Sequence, residues 1–152
     1  MRLRPDIKAY IEAELRDYHQ TKMDLIEAKE DIAESAPIVD DVGFNTSAQT
    51  HRIGRPTESK TIAILTNKRI RRMEQVVRAV DVVTGELPEE KMRLVRLKYW
   101  QRPRRLTDAG IAMKLSISRR TVYKWTNAIC WAVAGELGLV NNVRHKMGTF
   151  GG

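Results

Sequence analysis

The sequence predicts an all-α protein: a long N-terminal helical hairpin followed by a domain of shorter helices. Three observations predict it. Apolar residues recur at three- and four-residue spacing over long stretches, and no stretch alternates apolar with polar in the manner of a half-buried strand. Proline and glycine sit where helices start and stop rather than inside them. No segment repeats at the 20–50-residue period of a solenoid.

The first element runs from Pro5 to Ser35. Its apolar positions are Ile7, Ile11, Leu15, Tyr18, Leu25 and Ile32, with no internal glycine or proline. Pro5 suits a first helical turn, where its missing N–H leaves nothing unsatisfied. Ile11, Tyr18, Leu25 and Ile32 fall seven residues apart, but Lys22 and Lys29 break the companion seam, which favours packing on a neighbour in the same chain over a free coiled coil. Pro37 to Lys60 has no sustained period and reads as a loop or tether, with residues 37–57 at its heart. Arg52, Arg55 and Lys60 lie in or beside it. Its Gly54-Arg55-Pro56 lacks the Gly-Lys-Ser/Thr ending of a phosphate loop.

A second long helix is expected from about Glu58 to Thr84, stopped by Gly85. Ile62, Leu65, Met73, Val76, Val77, Val80 and Val83 lie on one face, while Lys68, Arg69, Arg71 and Arg72 extend outward on apolar stems. The two long helices, residues 1–86, would lie antiparallel and bury their stripes together. Leu87-Pro88-Glu89-Glu90 opens a third helix with Leu94, Val95, Leu97 and Trp100 inward, and the basic run Gln101 to Arg105 breaks it.

Residues 87–140 form the expected second domain. Thr107 caps a short helix over Asp108 to Leu115, with Ile111, Ala112 and Leu115 inward. Ser116-Ile117-Ser118 makes a tight turn, and Ser118 caps a helix beginning Arg119-Arg120-Thr121-Val122-Tyr123-Lys124-Trp125. Val122, Trp125, Ile129, Val133 and Leu137 face inward, and Gly138 stops it. Trp131 and Cys130 are expected on a partly outward face. These pieces meet the needs of a helix-turn-helix: a small residue at the crossing (Ala112), a small polar residue in the turn (Ser116), and an apolar plug beneath it (Ile117). Residues 141–152 read as a mobile tail.

The outward positions of the last helix are then Arg119, Arg120, Thr121, Tyr123, Lys124, Thr126 and Asn127. They carry hydrogen-bonding groups and no acid. A solvent-facing helix usually gathers acids in its first turn, where they complement the positive end of the helix dipole. Two arginines in that turn are electrostatically costly, and a phosphate or a guanine edge beside them offsets the cost.

The charge distribution agrees. Residues 87–152 hold thirteen Lys+Arg against four Asp+Glu, whereas residues 1–36 hold six against nine, within a chain of net charge +8. Neutralising phosphates with such a surface releases counterions and drives affinity for polyanions. The expected DNA-binding set is Ser118, Arg119, Arg120, Thr121, Tyr123, Lys124 and Asn127 on the last helix. Arg104, Arg105 and Thr107 join it by holding phosphates beside the first. Arg119 and Arg120 stand at the end that meets base edges. Asn127, deeper along the helix, suits an adenine edge or a phosphate.

The stretch Leu87-Pro88-Glu89-Glu90-Lys91, Leu94 to Trp100, Leu106-Thr107, Ile111-Ala112 and Ser118 to Trp125 resembles the RinA/ArpU family of phage-encoded transcriptional regulators. The likeness extends to Leu65-Thr66-Asn67-Lys68-Arg69, Met73 to Val80 and Leu15-Arg16-Asp17-Tyr18-His19, and covers most of the chain up to about Val140. The C-terminal third is also similar to region four of bacterial sigma factors, which reads promoter DNA. The resemblance implies a cytoplasmic regulator in a bacterial host, activating phage or prophage late genes such as a packaging and morphogenesis operon. The basic insert from Gln101 to Arg105 departs from the short turn of sigma factors, so contacts with host RNA polymerase are not carried over.

Other classes fit less well. His19, His51 and His145 are scattered, no metal-ligand spacing occurs, and the carboxylates fall mainly on solvent faces, so neither enzyme chemistry nor a cofactor is expected. One cysteine, Cys130, fits a reducing compartment and excludes an internal disulfide. The longest apolar run, Ala128 to Ala134, is far short of the ~18 residues that suggest a membrane span. Two alternatives stay open at this stage: a small terminase subunit that binds DNA for packaging as a ring, and a helical adaptor for an acidic protein. Many modules of this kind bind paired half-sites as homodimers, but no segment of the sequence specifies a self-association surface.

Overall fold

The computed structural model describes residues 2–35, 56–103 and 106–140, and every regular element among them is helical. In chain order these are α1 (Pro5–Ser35), α2 (Pro56–Gly85), α3 (Glu89–Val95) running into a π-helical turn (Arg96–Trp100), α4 (Asp108–Leu115) and α5 (Arg119–Glu136). Helix α2 opens on Pro56, two residues ahead of the expected start, because proline's fixed φ suits a first turn. The expected loop at 37–57 falls mostly outside the described residues, as do Arg104, Arg105 and the tail 141–152. No described helix is long and apolar enough to cross a membrane.

The chain divides into two compact units, residues 1–19 with 76–152, and residues 20–75. The first is therefore larger than residues 87–140, since it takes in the start of α1 and the end of α2. Its core draws Ile11 and Leu15 from α1, Val76 and Val80 from α2, Leu94 and Val95 from α3, Ile111 from α4, and Val122 and Val133 from α5, all fully or almost fully buried. Polar bonds fasten the same segments. The Tyr18 hydroxyl donates to the Asp81 carboxylate, and the Trp100 indole N–H donates to the Leu15 carbonyl at 3.0 Å. In the second unit Leu25, Ile70 and Met73 are buried, and Lys29 pairs with Glu74 at 3.7 Å.

The π-helical turn explains a difference from the sequence reading. Periodicity placed Leu97 and Trp100 inward, but Lys98 and Tyr99 are buried, and Leu97 and Trp100 only half-buried. The Gln101 N–H reaches the Arg96 carbonyl five residues back, at 2.7 Å. A wider turn rotates each residue through a smaller angle, so four-residue spacing from Leu94 and Val95 stays on the core side. The extra backbone residue thus carries a lysine inward.

Lys98 is tolerated there because partners arrive from three other elements. Its ammonium lies 3.2 Å from Asp108 Oδ1 on α4, 3.8 Å from Glu12 Oε2 on α1, and 3.4 Å from the Thr126 hydroxyl on α5. The Tyr99 hydroxyl donates to the same Glu12 carboxylate at 2.7 Å. A buried charge that kept no such partners would cost on the order of several kcal/mol. Lys98 therefore ties the register of α1, α4 and α5 to one point.

Candidate nucleic-acid interface

The turn between α4 and α5 is built from local chemistry. Ser116 adopts the left-handed conformation, φ 57°, at the end of α4. The Ile117 N–H returns to the Ala112 carbonyl at 3.0 Å, and the Ser116 N–H to Met113 at 3.2 Å, which closes the helix end with the hydrogen-bond pattern of a Schellman motif. Ala112 is buried at this crossing and Ile117 half-buried beneath it. Ser118 then stands in extended backbone, and its hydroxyl accepts the Thr121 N–H at 3.0 Å. Thr107 caps α4 likewise, accepting the Gly110 N–H at 3.2 Å. At the far end Gly138, φ 74°, terminates α5, and the Leu139 N–H bonds back to Ala134.

With both ends of α5 set, its faces separate. Val122, Ile129, Cys130, Val133 and Ala134 are buried, and Arg119, Arg120, Tyr123 and Lys124 are exposed. The first turn contains no acid. Among the described residues the side chains of Arg119, Arg120 and Lys124 have neither an ion pair nor a hydrogen bond, so three cations stand uncompensated along one and a half turns. The Tyr123 hydroxyl is held toward the ionised form. Its hydrogen bond with Asn127 contributes most, followed by the positive charge of Lys8 and, more weakly, that of Arg2. Lys8 Nζ lies 4.7 Å from the centre of the Tyr123 ring.

The candidate residues thus fall into groups. Arg119, Arg120, Tyr123 and Lys124 share the open face, with Asn127 half-buried at its edge. Ser118 is exposed, but its hydroxyl is engaged in capping, and Thr121 is half-buried with its own hydroxyl 2.9 Å from that of Ser118. Thr107 is exposed, with a hydroxyl proton still to donate. Arg104 and Arg105 lie outside the described residues.

Three expectations are corrected. Thr126 does not face outward: it is 1% exposed, with its hydroxyl donating to the Val122 carbonyl at 2.8 Å and lying beside Lys98. Its position, four residues after Val122 and seven before Val133, already lay on the inner face, and polarity misdirected the reading. Cys130 is not partly outward but fully buried, 4.0 Å from the Tyr99 hydroxyl. Burial raises its thiol to about 11, and the nearby Glu12 carboxylate adds to the rise. Trp125 is only half-buried, its ring accepting the Lys91 ammonium at 5.6 Å. The sequence reading also missed Lys8, because it belongs to an acidic stretch and only the docking of α1 brings it to α5.

Fold and site together define an all-helical protein with an acid-free, cationic helix face presented after a capped three-residue turn. The chain belongs to a family described as a protein of unknown function (DUF722), whose model matches residues 9–134. The match runs from the second turn of α1 almost to the end of α5 and so contains both helices of the candidate interface. No curated protein and no solved structure matches the chain.

Proposed function

We propose that this protein is a sequence-specific double-stranded DNA-binding regulator, in which α4 and α5 act as a helix-turn-helix and α5 enters the major groove. One observation carries the reading: Arg119, Arg120 and Lys124 stand exposed and uncompensated on a helix whose first turn lacks any acid. Groove-reading helices present the N-terminal turn to base edges, and a paired arginine matches the two acceptors of guanine. Thr107 at the start of α4, with Arg104 and Arg105 before it, supplies contacts to phosphate that fix register. Within each compact unit α1 pairs with α2 in antiparallel fashion, a reading favoured by the Tyr18–Asp81 bond in one and the Lys29–Glu74 ion pair in the other. The sequence resemblance to RinA/ArpU regulators extends the proposal to activation of phage or prophage late genes in the cytoplasm of a bacterial host.

Selection of duplexes from a randomised pool, followed by gel shift on the enriched site, tests it. Arg119→Ala and Arg120→Ala each weaken that site by about ten-fold or more, from the ~1–3 kcal/mol an arginine–guanine pair supplies, with the helical circular dichroism unchanged. A pool that yields no enriched sequence, or full affinity in both variants, overturns the reading.

A further inference from the structure

The first turn of α1 lies against the open face of α5 through Lys8, and residues 2–8 hold Arg2, Arg4 and Lys8 against Asp6 alone, whereas the rest of α1 is mainly acidic. We infer that Lys8 and Arg2 form a second, phosphate-holding arm of the DNA surface, flanking the helix that reads bases. This inference rests on the proposed DNA-binding function and names a part of the surface that lies outside the helix-turn-helix.

Three observations support it. Lys8 Nζ sits 4.7 Å from the centre of the exposed Tyr123 ring, and the charges of Lys8 and Arg2 both act on that phenol. Lys8 therefore borders Tyr123, on the same face as Lys124 and one turn beyond Arg119 and Arg120, and Arg2 is exposed on the short segment that leads into α1.

The charge of these two groups is also available, which separates them from their neighbour. Arg4 is paired with Asp6 at 3.2 Å, so its charge is already balanced. The Glu12 carboxylate, one turn beyond Lys8 on α1, is committed to Lys98 and the Tyr99 hydroxyl. Among the described residues neither Lys8 nor Arg2 has an ion pair.

The position is held by the core rather than by the arm itself. Ile11 and Leu15 are fully buried, and Glu12 and Leu15 anchor α1 to the π-helical turn through the bonds to Tyr99 and Trp100. A lysine whose ammonium is already held over an aromatic face loses less side-chain freedom when that ammonium also meets a phosphate. The arm is thus preorganised, and it fixes register without reading sequence.

The test compares salt dependence. Parent, Lys8→Gln, Lys8→Arg and the Arg2→Gln/Lys8→Gln pair are titrated with a random-sequence duplex and with the duplex that the parent enriches from a randomised pool. Each lost phosphate contact makes the plot of log affinity against log salt shallower by about 0.9. Lys8→Gln is therefore shallower by about one contact and the double variant by about two. Both duplexes lose affinity in equal proportion, and Lys8→Arg keeps the parental slope. Unchanged thermal melting of Lys8→Gln shows that the loss is not one of folding. A double variant with the parental slope, on a parent that binds DNA, overturns the arm and leaves the α5 surface standing. A parent that binds neither duplex at low salt overturns both.

Discussion

Replacing Lys98 by methionine keeps the length of the buried stem and removes the charge that α1, α4 and α5 share. Lys98 is 7% exposed, and the side chains of its two carboxylate partners differ: Glu12 is 16% exposed and Asp108 is 44% exposed. Removing one member of a buried ion pair costs ~3–5 kcal/mol, because the other charge is left desolvated and unpaired. The Asp108 side chain is partly open to water although its Oδ1, the oxygen facing Lys98, is buried, so that half of the arrangement adds about 1 kcal/mol, the upper end for exposed pairs. Glu12 keeps the Tyr99 hydroxyl as a donor, which softens its loss. The sum is a destabilisation of about 3 kcal/mol, in the range for one stranded and partly compensated carboxylate. Urea unfolding followed by circular dichroism and tryptophan fluorescence reads it as a lower midpoint at constant slope. Adding Glu12→Gln to Lys98→Met recovers part of the loss, since the stranded charge is then gone, and the two changes are strongly non-additive. A Lys98→Met protein within ~0.5 kcal/mol of the parent, the ordinary range for a surface change, would refute the claim that this lysine organises the unit. Strict additivity of the pair would refute it equally.

Three further outcomes follow from the same buried chemistry. Burial and the Asp81 carboxylate raise Tyr18 from 10.0 to about 12, burial raises Cys130 from 9.0 to about 11, and Tyr99 is raised further still, mainly by burial. The unfolded chain releases these protons first, so stability holds below pH about 9 and falls progressively as pH climbs to about 12. A urea midpoint that stays flat from pH 8 to pH 11.5, approximate settings chosen to span that window, would contradict this linkage. Tyr18→Phe removes one of the protons concerned and leaves a shallower alkaline decline, measured the same way. Cys130, fully buried and with a raised pKa, reacts with an aromatic disulfide reagent at pH about 8 only after denaturation; rapid labelling of the folded chain would show that the α5 inner face opens.

The local punctuation of the helices was legible in the residues themselves. Pro5 opens α1, Thr107 and Ser118 cap α4 and α5 through their hydroxyls, α2 ends on Gly85, and Gly138 terminates α5 in the left-handed conformation that glycine adopts without strain. Caps and glycine stops act over a few residues, so a reader of sequence has all the atoms involved. The exposed Arg119, Arg120, Tyr123 and Lys124 were legible for a related reason. Once Ser118 sets the start of α5 and Val122 its inner face, the helical repeat places them outward.

Polar residues on inner faces were not legible. Thr126 read as a surface group because its type usually is, and nothing in the periodicity placed Lys98 inward; each is buried by a partner more than twenty residues away. Cys130, of a type that is usually buried, was placed partly outward because its cover comes in part from Tyr99, thirty-one residues away. The π-helical turn compounds this, since one wider turn exchanges Leu97 for Lys98 on the core side.

From its residues alone the chain determines five helices among the described segments, their limits, and which side of α5 carries uncompensated positive charge. Those properties depend on neighbours within about one helical turn. Tertiary structure alone decided that the start of α1 joins α3, α4 and α5 in one unit, that a lysine lies at their meeting point, and that Lys8 borders Tyr123. Burial of a charge, and adjacency between residues 8 and 123, depend on which distant surfaces meet. No periodicity along a single helix encodes that meeting.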